Sequence, residues 1–340
     1  MEDILTYFKS LSKERQSELL EQLNSISSLD STQDILKIRE LQLNNKQTVC
    51  PQCGHKHYFK YGKDKGVQRY MCNGCNKTFT PYTGTWLAHI HKKELISEYL
   101  VLMQNHLSLD KTSKRLNISK KTSLDWRHKI LSSIEKTETD SFVGITESDE
   151  TFFLFSEKGK KELNRKSRKR GGKAKKQGAS KEQIPVSVTM DRQNSKDLKI
   201  VGNKKKHKEQ IENILANKIT EKTILCTDGH RVYKTFANSH KIEHHSLVST
   251  KKERVKGVFH IQNVNSAHSR LKSWINNVFL GVATKYLQQY LNWFRFVETF
   301  KNKNFYEEII RNSILDTNSW KRFKNIEKYY LETIEIPTLC

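Results

Sequence analysis

Apolar residues return at helical intervals over residues 2–41: Ile4, Leu5, Phe8 and Leu11, then Leu19, Leu20 and Leu23, then Ile35, Leu36, Ile38 and Leu41, with a break at SSLDS. The pattern predicts a helical lead segment, 1–45. Over 46–90 the period disappears and Gly, Asn and Pro accumulate, a composition that buries little apolar surface and needs a covalent or metal staple. The helical period resumes over 91–140 with Leu95, Ile96, Tyr99, Leu100 and Met103, followed by SLDKTSKRLNISKKTSLDWRHKIL. Beyond residue 141 the runs FVGITESDETFFLF, IPVSVTM, LKIVG and TILCTDG predict strands, and 206–217 and 264–299 read as helices. Strands first and helices later predict an α/β domain with its own mixed sheet over 141–300. The tail, 301–340, reads as helical and suits packing or a protein contact.

One stretch fits no element. Residues 158–181 hold twelve Lys or Arg against one acidic residue, with almost nothing apolar, so they are expected to form a solvated basic insertion between two strands. Arg168, Lys169 and Arg170 are its densest cations. Across the chain, 61 Lys and Arg against 37 Asp and Glu leave a net charge of +24, and the mean hydropathy is −0.74. This excess predicts a polyanionic partner whose binding weakens steeply with salt. No apolar run reaches the ~18–20 residues that span a bilayer, and MEDILTYFKS lacks the pattern of a signal peptide. A cytoplasmic, nucleoid-associated bacterial protein is expected.

Cys50 and Cys53, eighteen intervening residues, then Cys72 and Cys75 match the spacing of two thiolate knuckles around one structural Zn²⁺. Residues 46–90 are therefore read as a zinc ribbon. His55 and His57 are expected on its surface, because four thiolates already fill the site. Between the knuckles, HKHYFKYGKDKGVQRYM interleaves aromatics with cations, which suits either nucleic-acid contact or a solvated hairpin packed on the ribbon. Cys226 and Cys340 have no visible partner.

Within 91–140, a short helix ending at Leu116, the turn Asn117-Ile118-Ser119 and a basic second helix suggest a helix-turn-helix DNA-binding domain. Ser119 would cap the second helix. Lys120, Lys121, Thr122, Ser123 and Arg127 would face DNA, with Trp126 and Ile130 turned to the core.

Asp149 and Asp228 each end a strand-like run. Carboxylates at neighbouring strand ends can hold two Mg²⁺ or Mn²⁺ ions for phosphodiester chemistry, although Asp at a strand end often serves a turn. A later helix would place Asn265, His268 and Lys272 on one face, with Val264, Leu271, Trp274 and Ile275 buried. Glu147, on the same strand face as Asp149, is expected to be an ordinary exposed glutamate.

The ordered set of Cys50 to Cys75, RYMCNGCNKTFTPYTGTW, SDETFF, CTDGHRVY and NVNSAHSRLKSW resembles the IS1595 family of insertion-sequence transposases, over roughly residues 46–300. The resemblance implies a multidomain chain: zinc ribbon and helix-turn-helix ahead of an RNase H-like DDE catalytic domain. It implies that Asp149, Asp228 and Asn265 are metal ligands in a D-D-N-K variant, with Lys272 holding a phosphate. It further implies binding of terminal inverted repeats, metal-dependent strand cleavage, 3′-OH transfer into target DNA, and a homodimer or larger assembly. The alternative is a transposase-derived DNA-binding protein whose nuclease domain is silent.

Overall fold

The computed structural model describes residues 12–13, 15–16, 32–136, 139–163, 166, 172, 174–175, 180, 182–201, 207–247, 255–313 and 316–333. Two compact units divide the chain, one from residues 1–133 with 302–323 and the other from 134–301 with 324–340. The tail expected as a single segment is thus shared between them. Among the described residues no helix is long and apolar enough to cross a membrane.

In the first unit, helix α1 (Thr32–Asn44) leads into a three-stranded antiparallel sheet, β1 (Tyr58–Asp64), β2 (Val67–Cys72) and β3 (Thr78–Phe79), in the order β1-β2-β3. Leu43 of α1 joins Tyr58, Tyr70, Phe79, Cys50 and Cys72 in a small core. The Tyr58 hydroxyl donates to the Leu43 carbonyl at 3.0 Å and the Tyr70 hydroxyl to Asn44 Oδ1 at 3.0 Å. Those bonds fasten the lead helix to the ribbon. Helices α2 (Ile96–Gln104), α3 (Leu109–Arg115) and α4 (Lys120–Ser133) follow. Ser108 and Ser119 cap α3 and α4 by accepting from the amides of Lys111 and Thr122. Asn117, at φ 48°, makes the left-handed turn between those helices, a conformation Asn tolerates better than most residues.

The second unit carries a five-stranded mixed sheet of β4 (Phe142–Leu154), β5 (Gln183–Asp191), β6 (Lys196–Ile200), β7 (Ile219–Thr227) and β8 (Glu243–Ser246), ordered β6-β5-β4-β7-β8. β5 runs antiparallel to both β4 and β6, whereas β7 and β8 extend the sheet in parallel from β4. Between β6 and β8 come α5 (His207–Leu215) and α6 (Arg231–His240), whose Ile211, Leu215, Tyr233 and Phe236 form one core with Leu225 of β7. A two-stranded hairpin, β9 (Val255–Lys256) and β10 (Phe259–His260), precedes α7 (Gln262–Ser273), which packs on β4 and β5, and α8 (Leu287–Thr299), which packs on β6.

Two expectations change here. The single helix anticipated over 264–299 is two helices: after a π-helical turn at Trp274–Val278, Leu280 (φ 54°) and Gly281 (φ 82°) adopt left-handed conformations that end it. Lys158, counted with the basic insertion, donates from Nζ to the carbonyls of Phe279, Leu280 and Gly281 at 3.1, 3.2 and 2.8 Å. It serves that helix end rather than solvent. Helix α6 and strand β8 occupy a stretch to which the sequence pattern assigns no element. In the first unit, α9 (Phe305–Ser313) packs on α2 and is followed by α10 (Ser319–Lys324); α11 (Ile326–Thr333) belongs to the second unit.

Candidate active site and metal centre

The four ribbon cysteines converge. Their sulfurs lie within 4.8 Å of one another, with Cys50 Sγ 3.9 Å from Cys75 Sγ and Cys53 Sγ 3.6 Å from Cys72 Sγ. A tetrahedral Zn²⁺ with bonds of ~2.3 Å places its sulfurs about 3.8 Å apart, so the donor set can hold such a metal. Each knuckle also aims an amide at a sulfur: Gln52 N–H at Cys50 (3.5 Å) and Gly74 N–H at Cys72 (3.3 Å). Burial opposes ionisation of Cys72, yet the amides of Cys75 and Gly74 and the neighbouring thiols bring it down to about 6. Gly74 is required, since a Cβ there would meet the His55 ring at 2.7 Å. His55 and His57 are exposed, as expected, and His55 Nδ1 accepts from the His57 amide at 3.2 Å.

On α4, Trp126 and Ile130 are buried as the helical spacing predicts. The five residues assigned to DNA contact separate into two groups. Lys120 and Lys121 are exposed, pairing with Asp110 (2.7 Å) and Asp125 (3.7 Å), and Thr122 is half-buried at the cap. Ser123 and Arg127 are buried, which corrects the expectation for them. Tyr99 donates its hydroxyl to the Ser123 carbonyl, and Arg127 donates to the Leu107 carbonyl at 2.7 Å. Four residues apart, they lie on the face that packs against α2 and the turn before α3, so their polar groups serve helix packing. Arg168, Lys169 and Arg170 lie outside the described residues.

In the second unit, the last parallel pair between β4 and β7 is Ser148 with Thr227. Asp149 and Asp228 are the next residue on each chain, and so stand side by side where β7 ends. The Asp228 carboxylate accepts from the His230 amide at 2.9 Å, opening the turn into α6. The Asp149 carboxyl is pushed up to about 7, by burial and then by the charge of Asp228. A backbone hydrogen bond from Glu150 and the charge of Lys272 pull the other way without prevailing. Two carboxylates that repel each other in a half-buried site leave negative charge that a cation could relieve.

Helix α7 lies over this pair. His268 is buried, with Nδ1 3.9 Å from Asp149 Oδ2, and burial followed by the charge of Lys272 brings its pKa down to about 4. Lys272 is exposed but within electrostatic reach of Asp149. Asn265, one turn before His268, is exposed, while Val264, Leu271, Trp274 and Ile275 are buried as expected. Among the described residues, the four cysteines form the one cluster of three or more His, Cys, Asp or Glu side chains close enough to share an ion. The second site offers two carboxylates, Asp149 and Asp228.

Sequence reasoning missed Glu147. It is 1% exposed, not a surface residue, and its carboxylate accepts from the amides of Asn263 (2.9 Å) and Val264 (3.2 Å) and from Asn263 Nδ2 (2.7 Å). Arg192 and His260 flank it at 3.4 and 3.3 Å. A carboxylate on the first turn of a helix satisfies its orphan amides and opposes its dipole. Strand β4 thus carries both Asp149 and the residue that pins the helix above it.

The second unit thus presents paired carboxylates on a mixed sheet beneath a basic helix. Residues 141–299 match the family model of the ISXO2-like transposase domain, and this segment belongs to that family. A Halobacterium salinarum protein described as an uncharacterized protein in transposable element ISH50 is 26% identical over 250 residues, covering 72% of this chain and 83% of its own length. The crystal structure of the Mos1 strand transfer complex matches at 12% identity over 69% of this chain and 77% of that one; its TM-score of 0.26 is too low to bear on the fold.

Proposed function

We propose that the chain is the transposase of an insertion sequence, binding its terminal inverted repeats, cutting a strand at the element end and joining the freed 3′-OH to target DNA. The observation that carries this reading is the side-by-side placement of Asp149 and Asp228 inside the family-matched segment, with Asp149 raised to about 7 chiefly by burial and by its neighbour's charge. The five-stranded order, three antiparallel strands extended by two parallel ones, supports an RNase H-like assignment.

Asp149, Asp228 and Asn265 would hold two Mg²⁺ or Mn²⁺ ions, which supply polarisation of the attacking oxygen and charge neutralisation at the leaving oxygen. A cation held there would stand in for the Asp149 proton. Lys272 offers an ammonium to a non-bridging phosphate oxygen, and Glu147 holds α7 in place. Cys50, Cys53, Cys72 and Cys75 would bind one structural Zn²⁺. The helix-turn-helix would present Lys120, Lys121 and Thr122 to DNA, and Arg168, Lys169 and Arg170 would track phosphates. Handling two element ends together favours a homodimer or larger assembly on DNA.

The test is strand cleavage of end-sequence DNA by purified protein in Mg²⁺ or Mn²⁺. Asp149→Ala and Asp228→Ala should abolish cutting while retaining binding. Cutting that survives either substitution overturns the assignment. The exposed amide at Asn265 favours one alternative, a DNA-binding protein with a silent nuclease domain. Tight end binding without cleavage in any divalent ion would establish it.

A further inference from the structure

The ribbon sheet has two faces of opposite character. Tyr58, Tyr70 and Phe79 fill the inner face, with ring centroids 5.3 to 5.8 Å apart. The outer face presents Phe59 and Tyr61, which are 49% and 47% exposed. Pairing of Phe59 with Met71, and of Met71 with Thr78, continues that face across β2 and β3. The rings of Phe59 and Tyr61 stand 6.3 Å apart, and the Arg69 guanidinium lies over Tyr61 at 5.6 Å. Lys60, opposite Tyr70, and Lys63, opposite Gln68, alternate with these residues onto the other side of the hairpin but are exposed, as is Lys65 at the turn; Asp64 is the one carboxylate on these two strands and their turn.

Two half-exposed aromatic rings on a sheet face cost solubility and contribute nothing to the inner core. Their surroundings select the occupant. A protein or lipid surface of apolar character would leave the Arg69 cation on this face and the exposed lysines at its edges without anions, whereas a nucleic acid supplies π-faces for the rings and phosphates for the cations. Duplex DNA hides its base faces within the stack, so its exposed edges and backbone do not use such rings. We infer that the outer face of the ribbon, built from Phe59, Tyr61 and Arg69, is a stacking platform for unpaired bases of single-stranded DNA. This site is separate from Asp149 and Asp228 and from the duplex-binding role proposed for the helix-turn-helix.

The experiment uses the full-length, zinc-loaded protein without divalent magnesium or manganese, so that no strand is cut. Binding of a fluorescein-labelled oligothymidylate and of a duplex of equal length is measured at the same salt. Phe59→Ala with Tyr61→Ala should lower single-strand affinity about tenfold or more and change duplex affinity less than about twofold. Equal losses for both DNAs, or no loss, overturn the platform. A second variant guards against misfolding: Phe59→Trp with Tyr61→Trp should keep single-strand binding, and the added indole emission should be quenched by oligothymidylate but not by duplex. Absence of that quenching overturns the proposal as well. A change of oligomeric state in the alanine variant, with single-strand binding intact, assigns the face to self-association instead.

Discussion

At Asp149 the cost of folding and the proposed capacity to bind a cation have one origin, an acid held beside another acid. A carboxyl raised from an ordinary value of 3.8 to about 7 binds its proton more tightly in the folded than in the unfolded chain. Between roughly pH 4 and pH 7 the folded state therefore holds the extra proton, and stability falls as pH rises through that window. By pH 8 the full cost is present. Asp149→Asn should accordingly raise stability at pH 8, in the absence of divalent ions, by about 1–3 kcal/mol, a discount on the ~1.4 kcal/mol that each pKa unit represents. The gain should vanish near pH 4. Thermal melts across pH check this, and an unchanged or lower melting temperature at pH 8 would contradict the repulsion between Asp149 and Asp228. Glu147 makes the opposite case, a buried carboxylate fully occupied by donors. Glu147→Gln presents an amide N–H₂ or a neutral oxygen to donors that need an anion, and should cost about 2–3 kcal/mol. Hydrogen exchange at the amides of Asn263 and Val264 should quicken with it; protection equal to wild type would mean that the helix is held by other contacts. Asp228 could be read from sequence because it closes a β-patterned run; Asp149, expected at a strand end, instead lies within β4, paired with Val188 of β5, because the strand continues to Leu154. Glu147 could not be read, because its role depends on amides 116 and 117 residues away.

Elements were legible where periodicity alone decides them. The strands β4, β5, β6 and β7 and the α3–α4 pair follow their patterns, and Ser119 caps α4 as its position before Lys120 implied. The helix break near Leu280 was hidden, because apolar spacing continues through residues that the backbone turns aside. Strand β8, Glu-His-His-Ser, was hidden for a different reason: it is polar, and its pairing with β7 makes it a strand. Helix α4 gives a test that separates packing from DNA contact. Arg127→Ala should lower stability by about 2 kcal/mol or more by stripping a buried donor from the Leu107 carbonyl, while Lys121→Ala should leave stability within about 0.5 kcal/mol. DNA affinity measured at a temperature where both are folded should fall for Lys121→Ala and hold for Arg127→Ala; the reverse order would return Arg127 to the DNA face. The ribbon tests differently. Its core holds two of the four ligands, Cys50 and Cys72, so chelation removes both the cross-link and the packing. Loss of β1–β3 hydrogen-exchange protection on chelation, with that of β4–β8 intact, is the expected outcome, and protection unchanged by a strong chelator would show that the four sulfurs need no metal.

Over the whole molecule the governing quantity is charge. A chain at +24 attracts any polyanion, and sequence preference must come from a small number of placed side chains acting on top of that attraction. Residues 158–181, with twelve Lys or Arg and one acidic residue, lie between β4 and β5, and so enter the same unit as Asp149. Substituting Arg168, Lys169 and Arg170 together by Ser removes three cations from a stretch with almost nothing apolar. If these residues neutralise phosphates, the slope of log affinity against log salt should flatten by about 0.9 for each phosphate no longer neutralised, and element-end and unrelated duplexes should weaken by similar factors. Lys121→Ala should instead weaken the element end more than the unrelated duplex, because it acts from the helix proposed to enter the groove. Equilibrium titrations at four or five salt concentrations on both duplexes separate the two effects. An unchanged slope in the triple variant would remove the basic insertion from the DNA interface and leave the charge excess to the ribbon and helices.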